Sequence, residues 1–145
     1  MEPIGMITDK QELEGTGYIE LLPGVFTGKV WSSNSVYFSE ESFGYMEPVF
    51  EEVVAEFNRY AFTEVPAELL PELSAKLHKL ADFLAKVKST EELNGRIGFI
   101  YAETEAIFAL DFSSNRQALV DMIEELCDWL DKQADEQDAI TILGL

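Results

Sequence analysis

The sequence predicts an α+β fold, with a mostly antiparallel sheet packed against about three amphipathic helices. Two observations support this fold class. Short runs rich in β-branched and aromatic residues alternate with turn residues in the first forty positions, as in a strand meander. Three longer stretches place apolar residues three and four apart, which is the period of a helix with one buried side. At 145 residues the chain has one domain's length, so we predict a single domain over residues 1–145.

The predicted strands are short and lie between turn residues such as Pro23-Gly24 and Ser32-Ser33-Asn34-Ser35. Because these turns come close together, neighbouring strands are expected to run antiparallel. Trp31, Tyr37 and Phe38 are expected in the sheet core. The predicted strands are Tyr18 to Leu22, Val25 to Trp31 and Val36 to Phe38, with further short strands at Ile4 to Ile7 and Ile140 to Leu143.

A hairpin is predicted later in the chain, from Arg96 to Glu103 and from Ala106 to Phe112, turning at Thr104-Glu105. Both segments carry apolar residues on both faces. This pattern is typical of central strands in a covered sheet.

The first helix is predicted after Phe43 and Tyr45, with Pro48 in its first turn, where a missing N–H is harmless. Arg59 is the only base on its exposed sides. The expected buried residues are Met46, Phe50, Val53, Val54, Phe57 and Ala61. The expected exposed acids, a first candidate binding surface, are Glu47, Glu51, Glu52 and Glu56.

The second helix is predicted from near Pro71 to about Lys88, with Phe83 at the margin of its apolar stripe. That stripe consists of Leu73, Leu77, Leu80, Leu84 and Val87. Residues 66–88 hold four lysines against three acids, a net charge of +1, so the rest of the chain carries −19. The acidity is therefore regional, which a general need for solubility does not predict. After this helix, Ser89 and Glu92 have the spacing of a capping box.

The last helix is predicted from Arg116 to about Asp138, with Ser114 and Gln117 as its capping box. Its apolar stripe consists of Leu119, Val120, Ile123, Leu126, Cys127, Leu130 and Ala134. The opposite side is acidic, and its like-charge pairs four apart each cost about 0.2–0.5 kcal/mol. Lys132 is the only base available to these acids, as a partner of Asp128. The second candidate binding surface is Asp121, Glu124, Glu125, Asp128 and Asp131, with Trp129 on its flank.

Composition excludes several classes of function. The formal net charge of −18 is incompatible with ordinary nucleic-acid binding, which needs a basic surface, and it opposes docking on an anionic membrane. The chain has no run of 18 apolar residues and no signal-peptide pattern at its start, so we expect a cytoplasmic protein. A lone cysteine, Cys127, allows no intramolecular disulfide and is expected to be buried.

No catalytic or metal-binding motif is complete. His78 is the only histidine and is expected to be exposed. The spacing Asp111-x-Ser113-x-Asn115 opens like a calcium loop, but Arg116 stands where glycine is required and Met122 where a glutamate belongs. Adjacent carboxylates on a helix point in different directions, which does not suit paired acid-base chemistry. We therefore expect no enzyme activity, no metal and no cofactor.

Trp129 allows two interpretations, either a residue at the periphery of the core or an interface anchor with an acidic rim. The small size, acidity and α+β architecture resemble those of bacterial immunity proteins, including those of contact-dependent inhibition systems. The resemblance implies tight binding of one toxin domain, often a basic nuclease, with the acids standing in for nucleic-acid phosphates. The chain would be a monomer or homodimer. The alternatives are a small acidic regulatory or adaptor protein or a homo-oligomeric protein, both without catalysis, and a metal-assisted hydrolase that uses the carboxylate pairs.

Overall fold

The computed structural model describes residues 2–145, which form a four-stranded antiparallel sheet and four α-helices. The strands lie in the order β2-β1-β4-β3, and every neighbouring pair is antiparallel. The predicted α+β fold is confirmed. In chain order the elements are β1 (Tyr18–Pro23), β2 (Val36–Ser39), α1 (Glu40–Val53), β3 (Phe62–Pro66), α2 (Leu70–Leu84), α3 (Ala102–Leu110), α4 (Phe112–Glu136) and β4 (Ala139–Leu143).

One face of the sheet forms the floor of the core. Side chains alternate along each strand, so Ile19 and Leu21 of β1 face the core while Glu20 and Leu22 face the other way. The core face continues through Phe38 in β2. In β4 it continues through Ile140 and Ile142. The strands predicted at Tyr18 to Leu22, Val36 to Phe38 and Ile140 to Leu143 are confirmed, each to within one residue.

The apolar stripes of α2 and α4 are buried as predicted. Leu77, Leu126 and Leu130 are fully inaccessible to solvent. Cys127 lies where the two helices meet, with its Sγ 3.6 Å from the carbonyl oxygen of Ser74. Burial raises the pKa of the Cys127 thiol to about 11, so it stays protonated at neutral pH. Over residues 2–145, none of the helices combines the length and apolar character that crossing a membrane requires.

Helix α1 begins earlier and ends earlier than predicted. Ser39 is its N-cap and accepts a hydrogen bond from the Ser42 N–H (3.1 Å), so Pro48 lies inside the helix and not in its first turn. Proline removes the hydrogen bond to the carbonyl four residues back, that of Gly44. Gly98 packs against this freed carbonyl, and a Cβ on Gly98 would lie only 2.5 Å from its oxygen. The helix ends at Val53, which leaves Ala61 exposed outside it.

Two predicted strands in the N-terminal part of the chain are wrong. Residues 24–35 form an irregular loop, in which Val25 and Val30 are 55% exposed and Trp31 has φ near +60°. The expected strand at Ile4 to Ile7 is reduced to one bridge between Ile7 and Tyr37. The strand β3 lies in a region where none was predicted.

The predicted hairpin over residues 96–112 is also wrong, because Ala102–Leu110 forms helix α3. Alanine, glutamate and leucine are strong helix formers, and this content outweighs the strand-like apolar pattern. Consequently α4 starts at Phe112, four residues before the predicted Arg116, and Ser114 lies inside the helix instead of capping it. The capping box of Ser89 and Glu92 is confirmed, on a short 3-10 turn over Thr90–Leu93.

Candidate interaction surfaces

The acids of the second candidate surface lie on the outer face of α4. The same helix buries its opposite face in the core, where it packs chiefly against α2. Asp121 accepts one hydrogen bond, from Gln117 Nε2 on the preceding turn (2.9 Å). The exposed acids are Asp121, Glu124, Glu125, Asp128 and Asp131.

These α4 carboxylates have no basic partner among residues 2–145. The two ion pairs of this part of the chain join Arg59 to Glu47 and Lys76 to Glu52, and neither involves α4. Lys132 was expected to pair with Asp128 but forms no ion pair with it. No ion pair among residues 2–145 therefore offsets the negative charge of this face.

Trp129 lies at the margin of this acidic face. It is partly buried and packs against the core, as expected for a peripheral core residue. Its accessible side lines an open cleft of about 360 Å³ together with Lys132, Gln133 and Glu136. The side chain therefore has the position that an interface anchor would need.

The acids of the first candidate surface are less available. Glu47 forms an ion pair with Arg59 (2.9 Å), and both side chains are only 16% exposed. Burial raises the pKa of Glu47, although the nearby Arg59 opposes this shift. Glu52 binds Lys76 of α2 (2.5 Å), and the hydrogen bond from Lys76 to Glu52 raises the pKa of Lys76. Of the four predicted acids, only Glu51 and Glu56 are exposed without an ion pair.

The first-turn acids of α1 hold other parts of the chain in place. Glu40 accepts a hydrogen bond from the Tyr101 hydroxyl (3.2 Å), and Glu41 accepts one from Thr104 Oγ1 (3.0 Å). These contacts attach the start of α3 to the start of α1. The negative charge on Glu40 is the main cause of the raised pKa of Tyr101.

Neither the histidine nor the calcium-like spacing of the sequence forms part of a metal site among residues 2–145. His78 is exposed on α2. Asn115, from the calcium-like spacing, donates a hydrogen bond to the carbonyl of Phe108 (3.1 Å) and so caps the end of α3. Within residues 2–145, no three histidine, cysteine or acidic side chains converge as metal ligands.

Comparisons with protein-family models, curated proteins and solved structures find no match. The function of this chain is therefore argued from its own surfaces.

Sequence reasoning missed a buried carboxylate on the sheet. Glu20 is 2% exposed, on the face opposite the core. It accepts hydrogen bonds from the backbone N–H of Trp31 (2.6 Å), from that of Ser32 (3.1 Å) and from Ser35 Oγ (2.6 Å). These bonds hold the 24–35 loop over the sheet. No sequence signal pointed to this, since an acid that alternates with apolar residues in a strand normally faces solvent.

The free edge of the sheet was also missed. β3 is the last strand on one side, and its outer side chains Phe62 and Glu64 are exposed. The alternation of Phe62, Thr63, Glu64 and Val65 is a strand signal that Pro66 and Pro71, both on its C-terminal side, obscured.

Proposed function

We propose that this protein binds a basic protein partner through the exposed acidic face of α4, and that it acts as an immunity protein that neutralises a toxin domain such as a basic nuclease. One observation carries the proposal: five exposed carboxylates on the outer face of α4 have no ion-pair partner among residues 2–145, whereas two of the four acids of the first candidate surface, Glu47 and Glu52, are paired.

The unpaired acids suit fast recognition of a basic partner. Complementary charge steers diffusing proteins together and raises association rates to roughly 10⁸–10⁹ M⁻¹s⁻¹ at low salt. Tight binding also needs apolar contact, and tryptophan is enriched among residues that dominate interface energies. Trp129 beside its cleft supplies such a contact at the margin of the acidic face.

The test uses a cognate toxin domain, to be sought first among the products of the genes next to this one, with association followed at several salt concentrations. Changing Asp121, Glu124 and Asp128 to lysine should lower the association rate toward roughly 10⁵–10⁶ M⁻¹s⁻¹ and flatten its salt dependence. The fold should remain intact, because all three side chains are exposed.

A matched control changes Glu12, Asp82 and Glu91 to lysine, which are exposed acids outside both candidate surfaces. It alters the net charge by the same amount. If the control slows association as much as the α4 variant does, general charge and not the α4 face governs recognition. If neither variant affects rate or affinity, the acidic face is not the interface.

A homo-oligomeric protein without catalysis remains a second candidate, and helix α3 is the observation that favours it. Tyr101 before α3 is 47% exposed, and Ile107 and Leu110 within it are 38% and 85% exposed. Apolar side chains exposed together often mark a protein contact. Analytical ultracentrifugation of the isolated protein distinguishes a stable homodimer from a monomer.

A further inference from the structure

The two edge strands of the sheet, β2 and β3, differ in whether another segment pairs with their outer side. At the β2 edge, Ile7 and Tyr37 exchange two backbone hydrogen bonds of 2.8 Å, so the N-terminal segment closes that side. At the opposite edge lies β3, and no strand pairs with its outer side within residues 2–145.

The hydrogen bonds at the ends of the β3–β4 pair show which groups of β3 face outward. The Ala67 N–H donates to the Asp138 carbonyl (2.9 Å), and at the other end the Gly144 N–H donates to the Ala61 carbonyl (3.1 Å). In an antiparallel pair, bonded and non-bonded positions alternate. Thr63 and Val65 therefore bond to β4, whereas Phe62 and Glu64 direct their N–H and C=O groups to the free edge.

The side chains along this edge are one aromatic and one acidic residue. Phe62 is 52% exposed, and its ring meets that of Phe26 edge-on at 4.9 Å between centroids. Glu64 is exposed and has no ion-pair partner among the described residues. Pro66 has no N–H, so the outward donors of this strand are those of Phe62 and Glu64.

The charge of the edge indicates what can pair with it. A second copy would bring another Glu64 and another net charge of −18 to the contact. A short strand, an outward charge and a proline are the features by which proteins prevent such self-pairing. An extended segment with lysine or arginine next to Glu64 would instead gain both backbone hydrogen bonds and charge attraction.

We propose that the free edge of β3 receives an extended basic segment of the partner, which adds a fifth strand to the sheet. This proposal rests on the proposed function and specifies how the basic partner docks. The bond between Ala67 and Asp138 places the end of β3 beside the short segment that follows α4. A partner that extends from this edge to Asp131 would contact both the edge and the acidic helix.

The test probe is a synthetic peptide of alternating lysine and valine, added to the full chain while amide hydrogen exchange is followed by NMR. The amides of Phe62 and Glu64 should become protected. A matched peptide with glutamate in place of lysine should give no protection. Absence of protection at both amides with the lysine peptide at its solubility limit overturns the proposal, as does protection that is confined to other strands.

Two variants separate backbone pairing from charge. Glu64→Pro removes an outward N–H without removing a bond to β4, and it should abolish peptide binding. Glu64→Gln keeps the N–H, and it should bind more weakly with less salt dependence. Equal binding by Glu64→Pro and the unmodified chain contradicts the proposal. If Glu64→Pro does not fold, the amide protection of the unmodified chain decides alone.

The remaining outcomes identify which proposal fails. If Phe62 and Glu64 are already protected in a dimer without peptide, the occupant is a second copy and the basic segment is excluded. If the peptide does not dock but the α4 reversals still slow partner binding, only the edge proposal fails. If the peptide protects Phe62 and Glu64 while the α4 reversals have no effect, the edge remains and the α4 surface is excluded.

Discussion

Glu20 determines the conformation of the loop above it through its position in β1. Its strand neighbours Ile19 and Leu21 face the core, so Glu20 must face the opposite side of the sheet. There its carboxylate accepts a hydrogen bond from the backbone N–H of Trp31, a residue with φ near +60°. That conformation is unfavourable for a residue with a side chain by roughly 1–2 kcal/mol, and the hydrogen bonds that Glu20 accepts offset this cost.

Replacing Glu20 with alanine should therefore destabilise the protein. Two backbone donors and the Ser35 hydroxyl would lose their acceptor, and we expect a loss of at least about 2 kcal/mol in the free energy of unfolding, measured in urea. Glu20→Gln retains one acceptor oxygen and should lose less. Glu124→Ala, at an exposed acid, is the control and should change stability by less than about 0.5 kcal/mol. Equal midpoints for Glu20→Ala and Glu124→Ala would show that the carboxylate does not hold the loop.

At the scale of elements, α3 and α4 show how similar apolar content leads to different burial. Helix α4 has its apolar residues on one stripe, and all of that stripe faces the core. Helix α3 has apolar residues around its circumference but buries only Thr104 and Phe108. Its attachment depends on Phe108, whose ring packs 5.6 Å from that of Tyr45, and on the hydrogen bond between Thr104 and Glu41.

This difference predicts that truncating a leucine to alanine lowers the free energy of unfolding far more in α4 than in α3. Leu126→Ala should lower the free energy of unfolding by about 2–5 kcal/mol, because Leu126 is fully buried and its removal leaves a cavity. Leu110→Ala should change it by less than about 0.5 kcal/mol, because Leu110 is 85% exposed. Thermal or urea unfolding of the two variants measures the contrast. A large loss for Leu110→Ala in the monomer would mean that α3 packs more closely than this structure shows.

At the scale of the whole molecule, charge is distributed unevenly. Acids outnumber bases by 18, and the lysines concentrate on or just after α2. Mutual repulsion among surface acids disfavours the compact state. The regional balance on α2 permits an ion pair to α1, that of Lys76 with Glu52, while the α4 acids form no ion pair among residues 2–145.

Added salt should therefore stabilise the isolated protein. Raising sodium chloride from about 10 mM to 0.5 M shortens the screening length from about 30 Å to a few ångström and weakens the repulsion. A gain of about 1 kcal/mol would raise the melting temperature by roughly 2–4 °C for a chain of this size. The α4 triple lysine variant should gain less from salt than the unmodified protein. A melting temperature that falls with salt would show that attractive pairs, not repulsion, dominate the surface.

Local sequence pattern determined the elements whose signals are regular. The stripe of α2 and most of that of α4 have an uninterrupted helical period, and burial of Leu77 and Leu126 followed directly. Strands β1, β2 and β4 were predictable because β-branched and aromatic residues lie between clear turns. Exposure of the α4 acids was predictable for the same reason, since a helix that buries one face exposes the other.

Tertiary structure decided the elements whose local signals conflict. The apolar residues within 96–112 fit the pattern of a strand as well as that of a helix. The structure has a helix there, and hydrogen bonds from Tyr101 to Glu40 and from Thr104 to Glu41 hold its start against α1. The Val25 to Trp31 run has strand-like residues, but the buried Glu20 holds its end as a loop. Pairing of α1 acids with Arg59 and Lys76, and the free edge of β3, depend on contacts between distant parts of the chain. The periodicity of apolar residues shows which side of a segment is buried. Ion pairs and strand order depend instead on which segments become neighbours in the fold, and the sequence of one segment does not contain that information.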